Sequence, residues 1–344
     1  MHRCIQLAKN GLGTTYPNPL VGSVVVYQDQ IIGEGWHYKA GLPHAEVNAI
    51  RSVQDKTRLK EATIYVNLEP CSHIGKTPPC SDLIIQSGIK NVVIGNLDSN
   101  PQVAGRGIKK LIDAGCTVTT GILEAECAEL NKRFFTFHQK KRPFILLKWA
   151  QTRDGFIAPT SERRKEAKPV WITNTYSRQV VHKMRGQEMA ILVGTNTAQQ
   201  DNPSLTTRSW AGNNPTPIVI DRKLKLDKEL SIFNTETETI VITEEIENST
   251  NHLQYETIDF SGEIASQICD VLYKNNIQSV IIEGGSKTLQ TFIDENLWDE
   301  AFIFSGPVNF GDGISAPALK GRFIFEEFIR SDSLYLYKNR AHRK

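Results

Sequence analysis

One histidine and two cysteines in the first quarter of the chain could together hold a zinc ion. His44 opens the run His-Ala-Glu, and Cys71 and Cys80 each follow a proline. Histidine nitrogen and cysteine sulfur are ligands of tetrahedral Zn²⁺, and a site with three protein ligands keeps a fourth position open for chemistry. Glu46, two residues after His44, is suited to move protons to and from a water in that position. These four residues therefore predict a hydrolytic zinc site.

The order of these residues narrows the chemistry further. H-x-E followed by P-C and a second Cys is typical of zinc-dependent deaminases, in which water replaces an amino group on a ring carbon. Zinc lowers the pKa of a bound water to near neutrality, so that hydroxide is available without a strong base. Those enzymes usually carry P-C-x-x-C, whereas here residues 72–79 separate the two cysteines. A closed structural zinc site with His73 as fourth ligand, or two buried thiols without metal, are the alternatives.

Composition restricts the classes to which the protein can belong. The 344 residues are enough for two domains. A formal charge of +2 gives no electrostatic reason to expect a nucleic-acid partner, and no apolar run approaches the roughly 20 residues that span a bilayer. Residues 1–7 lack the apolar stretch of a signal peptide, and six cysteines in a chain of this length do not suggest a disulfide framework. We therefore expect a cytoplasmic protein with free thiols and no membrane or nucleic-acid partner.

Alternating helix and strand patterns over residues 1–139 predict a first α/β domain that positions the zinc ligands. His44 is expected at the start of a helix over 44–53, Cys71 just after a strand over 62–68, and Cys80 at the start of another helix. The positive end of a helix dipole favours thiolate over thiol, which helps a cysteine to bind metal. The other predicted elements are a helix over 2–11, a hairpin of 21–27 and 31–36, strands over 91–95 and 117–121, and helices over 107–114 and 123–137.

The basic run at 140–142, with Pro143 after it, interrupts this pattern and predicts a domain boundary between residues 139 and 140. The alternation then restarts and predicts a second α/β domain over 140–344. The turn 284–286 lies between a strand and a helix, so its backbone N–H groups could bind a cofactor phosphate; an ordinary strand-to-helix turn is the alternative. The other predicted elements are strands over 144–149, 190–193, 218–221, 239–243, 280–283, 300–305 and 333–337, helices over 177–185, 264–273 and 287–295, and a surface loop over 161–168.

The long spacing between the cysteines is part of a wider pattern that resembles a known enzyme family. Residues 68–80 read L-E-P-C-S-H-I-G-K-T-P-P-C, and they resemble the deaminase half of the bifunctional riboflavin-biosynthesis deaminase/reductases. Further stretches resemble that half at 17–22, 33–37 and 100–107, and the reductase half at 148–155, 171–173, 197–208 and 282–285. The resemblance implies a cytidine-deaminase-like three-layer N-terminal domain, a zinc-dependent pyrimidine deaminase, and a C-terminal dihydrofolate-reductase-like domain that uses NADPH.

Two consecutive reactions are implied by this resemblance. The first is zinc-hydroxide hydrolytic deamination of 2,5-diamino-6-(5-phosphoribosylamino)pyrimidin-4-one. The second is NADPH-dependent reduction of the ribosyl group, which gives 5-amino-6-(5-phosphoribitylamino)uracil. A homodimer or homotetramer is implied as well. Two other functions stay open. One is a nucleoside or tRNA-base deaminase with an appended domain, which the near-neutral charge disfavours. The other is a zinc-stabilised protein that senses a nucleotide, which the presence of Glu46 disfavours.

The resemblance also implies which residues contact ligands. In the deaminase half, Glu46 is catalytic, and the implied substrate contacts are Asn18, His37, His73 and Lys76. In the reductase half, the implied cofactor contacts, beside the turn of Gly284, Gly285 and Ser286, are Ala150, Trp171, Thr197 and Asp201. The implied substrate contacts there are Arg185, Leu205, Arg208 and Glu283. The two arginines are implied to bind the substrate phosphate, with which a guanidinium pairs well. Arg222 is a candidate for the 2′-phosphate of NADPH. The ordinary alternatives are a buried, hydrogen-bonded histidine at 37, a core aromatic residue at 171 and arginines that face solvent.

Overall fold

The computed structural model describes residues 1–72, 78–98, 105–160, 162, 168–234 and 237–340. The chain divides into two compact units, Met1–Lys141 and Arg142–Lys344, so the division follows Lys141 rather than residue 139. Both units combine helices with strands, which confirms the predicted α/β class. Across the described residues, no helix has both the length and the apolar character needed to cross a membrane.

The first unit is built on a five-stranded sheet with the order β2-β1-β3-β4-β5. Strand β1 pairs antiparallel with β2 and with the central strand β3, whereas β3, β4 and β5 run parallel. The strands are β1 (Gly22–Tyr27), β2 (Gln30–Trp36), β3 (Thr63–Leu68), β4 (Asn91–Asn96) and β5 (Thr117–Thr119). The helices are α1 (His2–Ala8), α2 (Ala45–Ser52), α3 (Cys80–Gln86), α4 (Arg106–Asp113), α5 (Glu124–Leu130) and α6 (Lys132–Lys140), with 3₁₀ turns at Lys9–Gly11 and Lys56–Glu61.

Alternation along the strands buries both faces of this sheet. Val24 packs with Cys4 and Leu7 of α1, whereas its neighbour Val25 belongs to the core formed with α2, α3 and α4. Successive side chains of a strand point to opposite faces, so helices must cover both. The result is the three-layer arrangement that we expected.

The closing helix predicted over 123–137 is wrong as a single element, because the structure interrupts it at Asn131 between α5 and α6. The buried Asn131 side chain accepts the Leu20 N–H at 2.8 Å and donates to the Leu20 carbonyl at 3.0 Å. These tertiary hydrogen bonds, together with one from Asn67 to the same carbonyl, satisfy the buried backbone of Leu20, and the helix is interrupted where Asn131 makes them.

The second unit contains a nine-stranded sheet with the order β11-β10-β9-β8-β12-β6-β13-β16-β15. Strands β11 to β13 in this order are parallel, and β16 and β15 add antiparallel pairs. The strands are β6 (Phe144–Gln151), β7 (Phe156–Ala158), β8 (Ala190–Gly194), β9 (Thr216–Ile220), β10 (Thr239–Thr243), β11 (Leu253–Thr257), β12 (Ser279–Gly284), β13 (Glu300–Ser305), β14 (Ile314–Ser315), β15 (Arg322–Ile329) and β16 (Asp332–Lys338). The helices are α7 (Thr175–Gln187), α8 (Thr195–Asp201), α9 (Ile264–Lys274) and α10 (Ser286–Asp294).

Both faces of the large sheet are buried as well. Ile145 and Leu147 of β6 pack in the core that includes α9 and α10, whereas Phe144 and Leu146 pack in the core that includes α7 and α8. A parallel sheet covered on both faces binds ligands outside the carboxyl ends of its strands. The predicted cofactor and substrate residues lie mostly at those ends, after β8, β9 and β12 and in the helices that follow.

Candidate active sites

In the first unit, His44, Cys71 and Cys80 converge, and their ligand atoms all lie within 4.8 Å of one another. His44 Nδ1 is 3.6 Å from Cys71 Sγ and 3.3 Å from Cys80 Sγ. In a tetrahedral zinc site with ordinary bond lengths, nitrogen and sulfur ligands lie about 3.6 Å apart. The donor set and its spacing therefore fit a zinc ion bound through His44 Nδ1.

Local structure explains why the three ligands meet. His44 is the N-cap of α2, and Cys80 is the first residue of α3. The Cys80 N–H donates to Cys71 Sγ at 3.3 Å, so the start of α3 faces the second ligand. A sulfur–sulfur hydrogen bond with Cys80 lowers the pKa of Cys71 to about 4 and raises that of Cys80. One thiolate is thus present at neutral pH, as metal binding requires.

Glu46 lies in the first turn of α2 and is only 3 % exposed. Burial, followed by the nearby Cys71 sulfur, raises the pKa of Glu46 to about 7. A carboxyl group with a pKa near neutrality can both accept and donate a proton under working conditions. The helix therefore carries a candidate metal ligand at its N-cap and a candidate proton carrier two residues later.

Two predicted substrate contacts lie beside these ligands. The His37 ring stands edge-on to the His44 ring, with the ring centroids 5.2 Å apart. His37 Nδ1 donates to the Pro43 carbonyl at 3.2 Å, and Nε2 accepts from Asn18 Nδ2 at 3.1 Å. Burial lowers the pKa of His37, which keeps the ring neutral. The other two predicted contacts, His73 and Lys76, lie outside the described residues.

The second unit contains a cavity of about 1350 Å³. Every cofactor and substrate residue predicted for this half lies on its wall: Ala150, Trp171, Arg185, Thr197, Asp201, Leu205, Arg208, Arg222, Glu283, Gly284, Gly285 and Ser286. The sequence separates these residues by more than 130 positions, and the parallel strands bring them to one edge of the sheet.

Glu283 is the centre of a buried charged cluster in this cavity. Arg185 grips its carboxylate with two hydrogen bonds, from Nε at 3.0 Å and Nη2 at 2.8 Å. Lys148 Nζ lies 3.7 Å from the same carboxylate. Burial alone would raise the pKa of Glu283, but Arg185 and Lys148 outweigh it and lower the pKa to about 2. The carboxylate is therefore ionised at every working pH.

Arg208 and His182 lie near this cluster. Arg208 is exposed, and its Nη1 donates to Ser204 Oγ and, at 3.1 Å, to Thr206 Oγ1. His182 Nδ1 lies 3.1 Å from the Thr206 carbonyl and 3.2 Å from the Arg208 N–H. Helix α7, which carries His182 and Arg185, therefore holds the segment that carries Arg208, and both guanidinium groups face one region of the cavity.

At the other side of the cavity, the strand-to-helix turn is shaped by glycine. Gly284 has φ of +126°, a conformation in which a side chain would be strained. A Cβ on Gly285 would lie 3.3 Å from Thr197 Oγ1, so the turn and α8 pack closely. Helix α10 begins at Ser286 and directs its N-terminal N–H groups at the cavity edge, which fits an anionic cofactor phosphate. Trp171 is 60 % exposed, with Arg178 stacked 4.4 Å from its ring centre.

Sequence reasoning missed Lys148 and His182. A signal for Lys148 was available, because it is the one charged residue in the strand sequence F-I-L-L-K-W-A-Q. A lysine in an otherwise buried parallel strand needs an anionic partner. His182 carried no comparable signal, since H-x-x-R on an amphipathic helix is common.

Comparisons with known proteins match both halves of the chain. The family profile described as the cytidine and deoxycytidylate deaminase zinc-binding region matches residues 1–96, and that of the RibD C-terminal domain matches residues 143–324. A riboflavin biosynthesis protein RibD from Aquifex aeolicus is 42 % identical over 95 % of this chain and 91 % of its own length. That from Synechocystis is 39 % identical over 97 % and 90 %. The chain belongs to the RibD family.

Solved structures support the same assignment. A diaminohydroxyphosphoribosylaminopyrimidine deaminase/5-amino-6-(5-phosphoribosylamino)uracil reductase from Thermotoga maritima superposes with a TM-score of 0.88. It is 41 % identical, covering 98 % of this chain and 97 % of that one. RibD from Acinetobacter baumannii has a TM-score of 0.87 at 31 % identity, with the same coverage.

RibD membership confirms the predicted resemblance and the enzyme class. The protein is a bifunctional riboflavin biosynthesis enzyme with a zinc-binding deaminase domain followed by a reductase domain. The roles of the individual site residues stay predictions, and so does the nucleotide that the reductase domain uses.

Proposed function

We propose that the first unit deaminates 2,5-diamino-6-(5-phosphoribosylamino)pyrimidin-4-one and that the second reduces the ribosyl group of the product with NADPH. The end product is 5-amino-6-(5-phosphoribitylamino)uracil. The observation that carries the proposal is the convergence of three zinc-type ligands on a buried Glu46 in a RibD-family chain. The name of the Thermotoga maritima relative contains both activities.

In the deaminase, His44, Cys71 and Cys80 hold zinc, which when bound supplies the Lewis acidity that makes water acidic. Glu46 accepts a proton from the attacking water and returns it to the leaving amine, and its pKa of about 7 suits both transfers. Asn18 donates through Nδ2 to the neutral His37, so its Oδ1 is the atom that accepts a hydrogen bond from the pyrimidine.

In the reductase, the hydride belongs to the cofactor, and the protein holds two anionic molecules in contact. The turn at Gly284 and Gly285 and the first N–H groups of α10 bind the cofactor phosphates. Arg208, together with Arg185, binds the substrate phosphate, because guanidinium groups pair well with phosphate oxygens. Glu283, fixed by Arg185 and Lys148, is placed to accept hydrogen bonds from ribose hydroxyl groups.

Purified protein loaded with zinc should release ammonia from the diaminopyrimidine phosphate and then oxidise NADPH. The variant Glu46→Gln cannot carry a proton and should lose deamination by at least about 10³-fold. It should keep its zinc, measured by metal analysis, and still reduce authentic deaminated substrate. Glu61→Gln, at an exposed position of the same unit, is the matched control. Deamination by Glu46→Gln at the control rate would rule out the assigned role, and a lack of NADPH oxidation would refute the second reaction.

We also propose a homodimer, or a homotetramer built from such dimers, that forms through β15. This strand is at the edge of the nine-stranded sheet and exposes Phe323, Phe325 and Phe328. An unpaired strand edge that carries aromatic side chains favours pairing with a second chain. A cytoplasmic location stays a prediction.

A further inference from the structure

Four charged residues, Arg222, Lys223, Glu244 and Glu245, form one set at the carboxyl ends of two neighbouring strands in the reductase unit. Strand β9 is followed by Asp221 and then Arg222 and Lys223, and β10 is followed directly by Glu244 and Glu245. The strands are parallel and pair Ile220 with Ile242. Arg222 and Glu244 thus stand side by side, and the Glu244 N–H donates to the Arg222 carbonyl at 3.1 Å.

The side chains of this set neutralise one another. Arg222 Nε donates to Glu244 Oε2 at 2.6 Å, and Lys223 Nζ contacts Glu244 Oε1. Lys223 Nζ also lies 3.1 Å from Glu245 Oε1. Glu244 accepts from both cations and is the most buried member, with its side chain 19 % exposed against 57 % for Arg222. These two positive and two negative charges cancel one another, and the neighbouring Asp221 carboxylate is held separately by the backbone N–H groups of Lys225 and Leu226.

Of this set, Arg222 lines the cavity at a place that the adenosine end of a dinucleotide could occupy. Arg222 lines the same cavity as the Gly284-Gly285 turn, and its guanidinium stands over the Phe260 ring, 5.4 Å from the centre. Strand β8 separates β9 from β12, so the turn and Arg222 are two strand spacings apart, about 10 Å. That separation allows a cofactor whose pyrophosphate lies on the turn to place its adenosine ribose beside Arg222.

Nucleotide enzymes distinguish NADH from NADPH at this ribose. A carboxylate at a strand end accepts a hydrogen bond from the 2′-hydroxyl of NADH, whereas an arginine binds the 2′-phosphate of NADPH. Here both groups are present in one ion pair. We propose that Glu244 is a specificity-determining residue, which limits the preference for NADPH by neutralising Arg222 and Lys223 and by repelling the 2′-phosphate. This inference rests on the proposed use of a nicotinamide dinucleotide by the second unit.

Binding of two simple probes isolates the 2′-phosphate. Adenosine 2′,5′-bisphosphate and 5′-AMP differ in that group alone, and calorimetry on the full chain gives the ratio of their affinities. Removal of the carboxylate charge in Glu244→Gln should raise the ratio in favour of the bisphosphate by about tenfold. Glu247→Gln, an exposed residue with the same change of net charge, should change it less than twofold. The gain should vanish in the double variant Glu244→Gln/Arg222→Gln, since it acts through the released arginine.

The same proteins are assayed for oxidation of NADPH and NADH with deaminated substrate, so that two failures are kept apart. If the affinity ratio of Glu244→Gln equals that of the parent while either dinucleotide is oxidised, Glu244 does not set specificity and the inference is overturned. If neither dinucleotide is oxidised by any variant, the proposed reductase function fails, and this inference fails with it. An equal gain in Glu247→Gln would show a general charge effect and would also overturn it.

Discussion

His182 shows at the residue scale how the reductase cavity limits the charge of a side chain. Its ring nitrogen contacts the backbone of Thr206 and Arg208, and it lies near two guanidinium groups. Burial, followed by Arg185 and Arg208, lowers its pKa from 6.5 to about 4, although Glu283 acts in the opposite direction. A neutral imidazole in this position avoids a third positive charge beside the proposed phosphate site.

The pH dependence of stability follows from this shift. Because the folded-state pKa lies below the unfolded value, the unfolded chain binds the proton first as the pH falls. The stabilising contribution of neutral His182 is complete above pH 6.5 and is lost progressively toward pH 4. We expect the melting temperature of His182→Gln to fall less between pH 7 and pH 5 than the melting temperature of the parent protein. The exposed His252→Gln should keep the parent's pH dependence, and equal slopes for the parent and His182→Gln would contradict the assignment.

The clustering of His44, Cys71 and Cys80 was predictable from the sequence because the chemistry of these metal-binding residue types is distinctive. These three residues belong to only two residue types and occur in the order typical of zinc-dependent deaminases. Each one lies at a turn or at the start of a helix. The Arg222–Glu244 ion pair was not predictable, because it depends on which strands are neighbours. Arg222 alone suggested a free cation, and only the parallel pairing of β9 with β10 places a carboxylate against it.

At the element scale, the start of α4 is anchored to the zinc-ligand segment through Glu69. The buried Glu69 carboxylate accepts the N–H groups of Asp98, Gly105, Gly107 and Ile108, at 2.9 to 3.3 Å. Two residues later the chain reaches Cys71. The helix start and the metal ligand are therefore linked through one carboxylate and its short connection.

Gly107→Ala tests this link. A Cβ at position 107 would lie 2.0 Å from the Pro70 carbonyl oxygen, which is backbone and cannot turn aside. The start of α4 must therefore shift, and the Glu69 carboxylate then loses its hydrogen-bond donors. This loss should lower the free energy of unfolding by about 2 kcal/mol or more. We expect a lower melting temperature and weaker zinc retention against a chelator, measured by metal analysis. Lys109→Ala on the exposed side of α4 removes one surface ion pair and should behave as the parent; unaltered zinc retention in Gly107→Ala would argue against the link.

Elements with clear hydrophobic periodicity were predictable, and those that depend on tertiary contacts were not. Strand β12 was predicted to within a residue, because S-V-I-I-E-G is a short apolar run that ends in glycine. Strand β15 was missed, because R-F-I-F-E-E-F-I has no regular alternation and most of its residues remain exposed. The prediction of one closing helix was wrong for the opposite reason. Its hydrophobic pattern is continuous, but Asn131 hydrogen-bonds to Leu20, which is far away in the sequence.

At the scale of the whole molecule, the proposed assembly would cover the exposed aromatic residues of β15. The strand pairs with β16 on one side, and its other edge has no neighbour among the described strands. Phe328 is 75 % exposed, and Phe323 is 52 % exposed although it lies against the Tyr337 ring. Three exposed aromatic side chains along this edge strand are costly in water, and a second copy of the same strand could cover them.

Phe328→Glu should separate the proposed dimer into monomers. A two-fold interface presents each residue twice, so one substitution places two carboxylates at an apolar contact. Burying a charge without a partner costs several kcal/mol, and we expect the apparent dissociation constant of the dimer to rise at least about a hundredfold. Light scattering after size-exclusion chromatography gives the mass of each species. Ile246→Glu changes a residue that is 96 % exposed in the loop after β10 and should leave the mass unchanged. A parent protein that is monomeric, or a Phe328→Glu variant that keeps the parent's mass, would show that β15 does not form the interface.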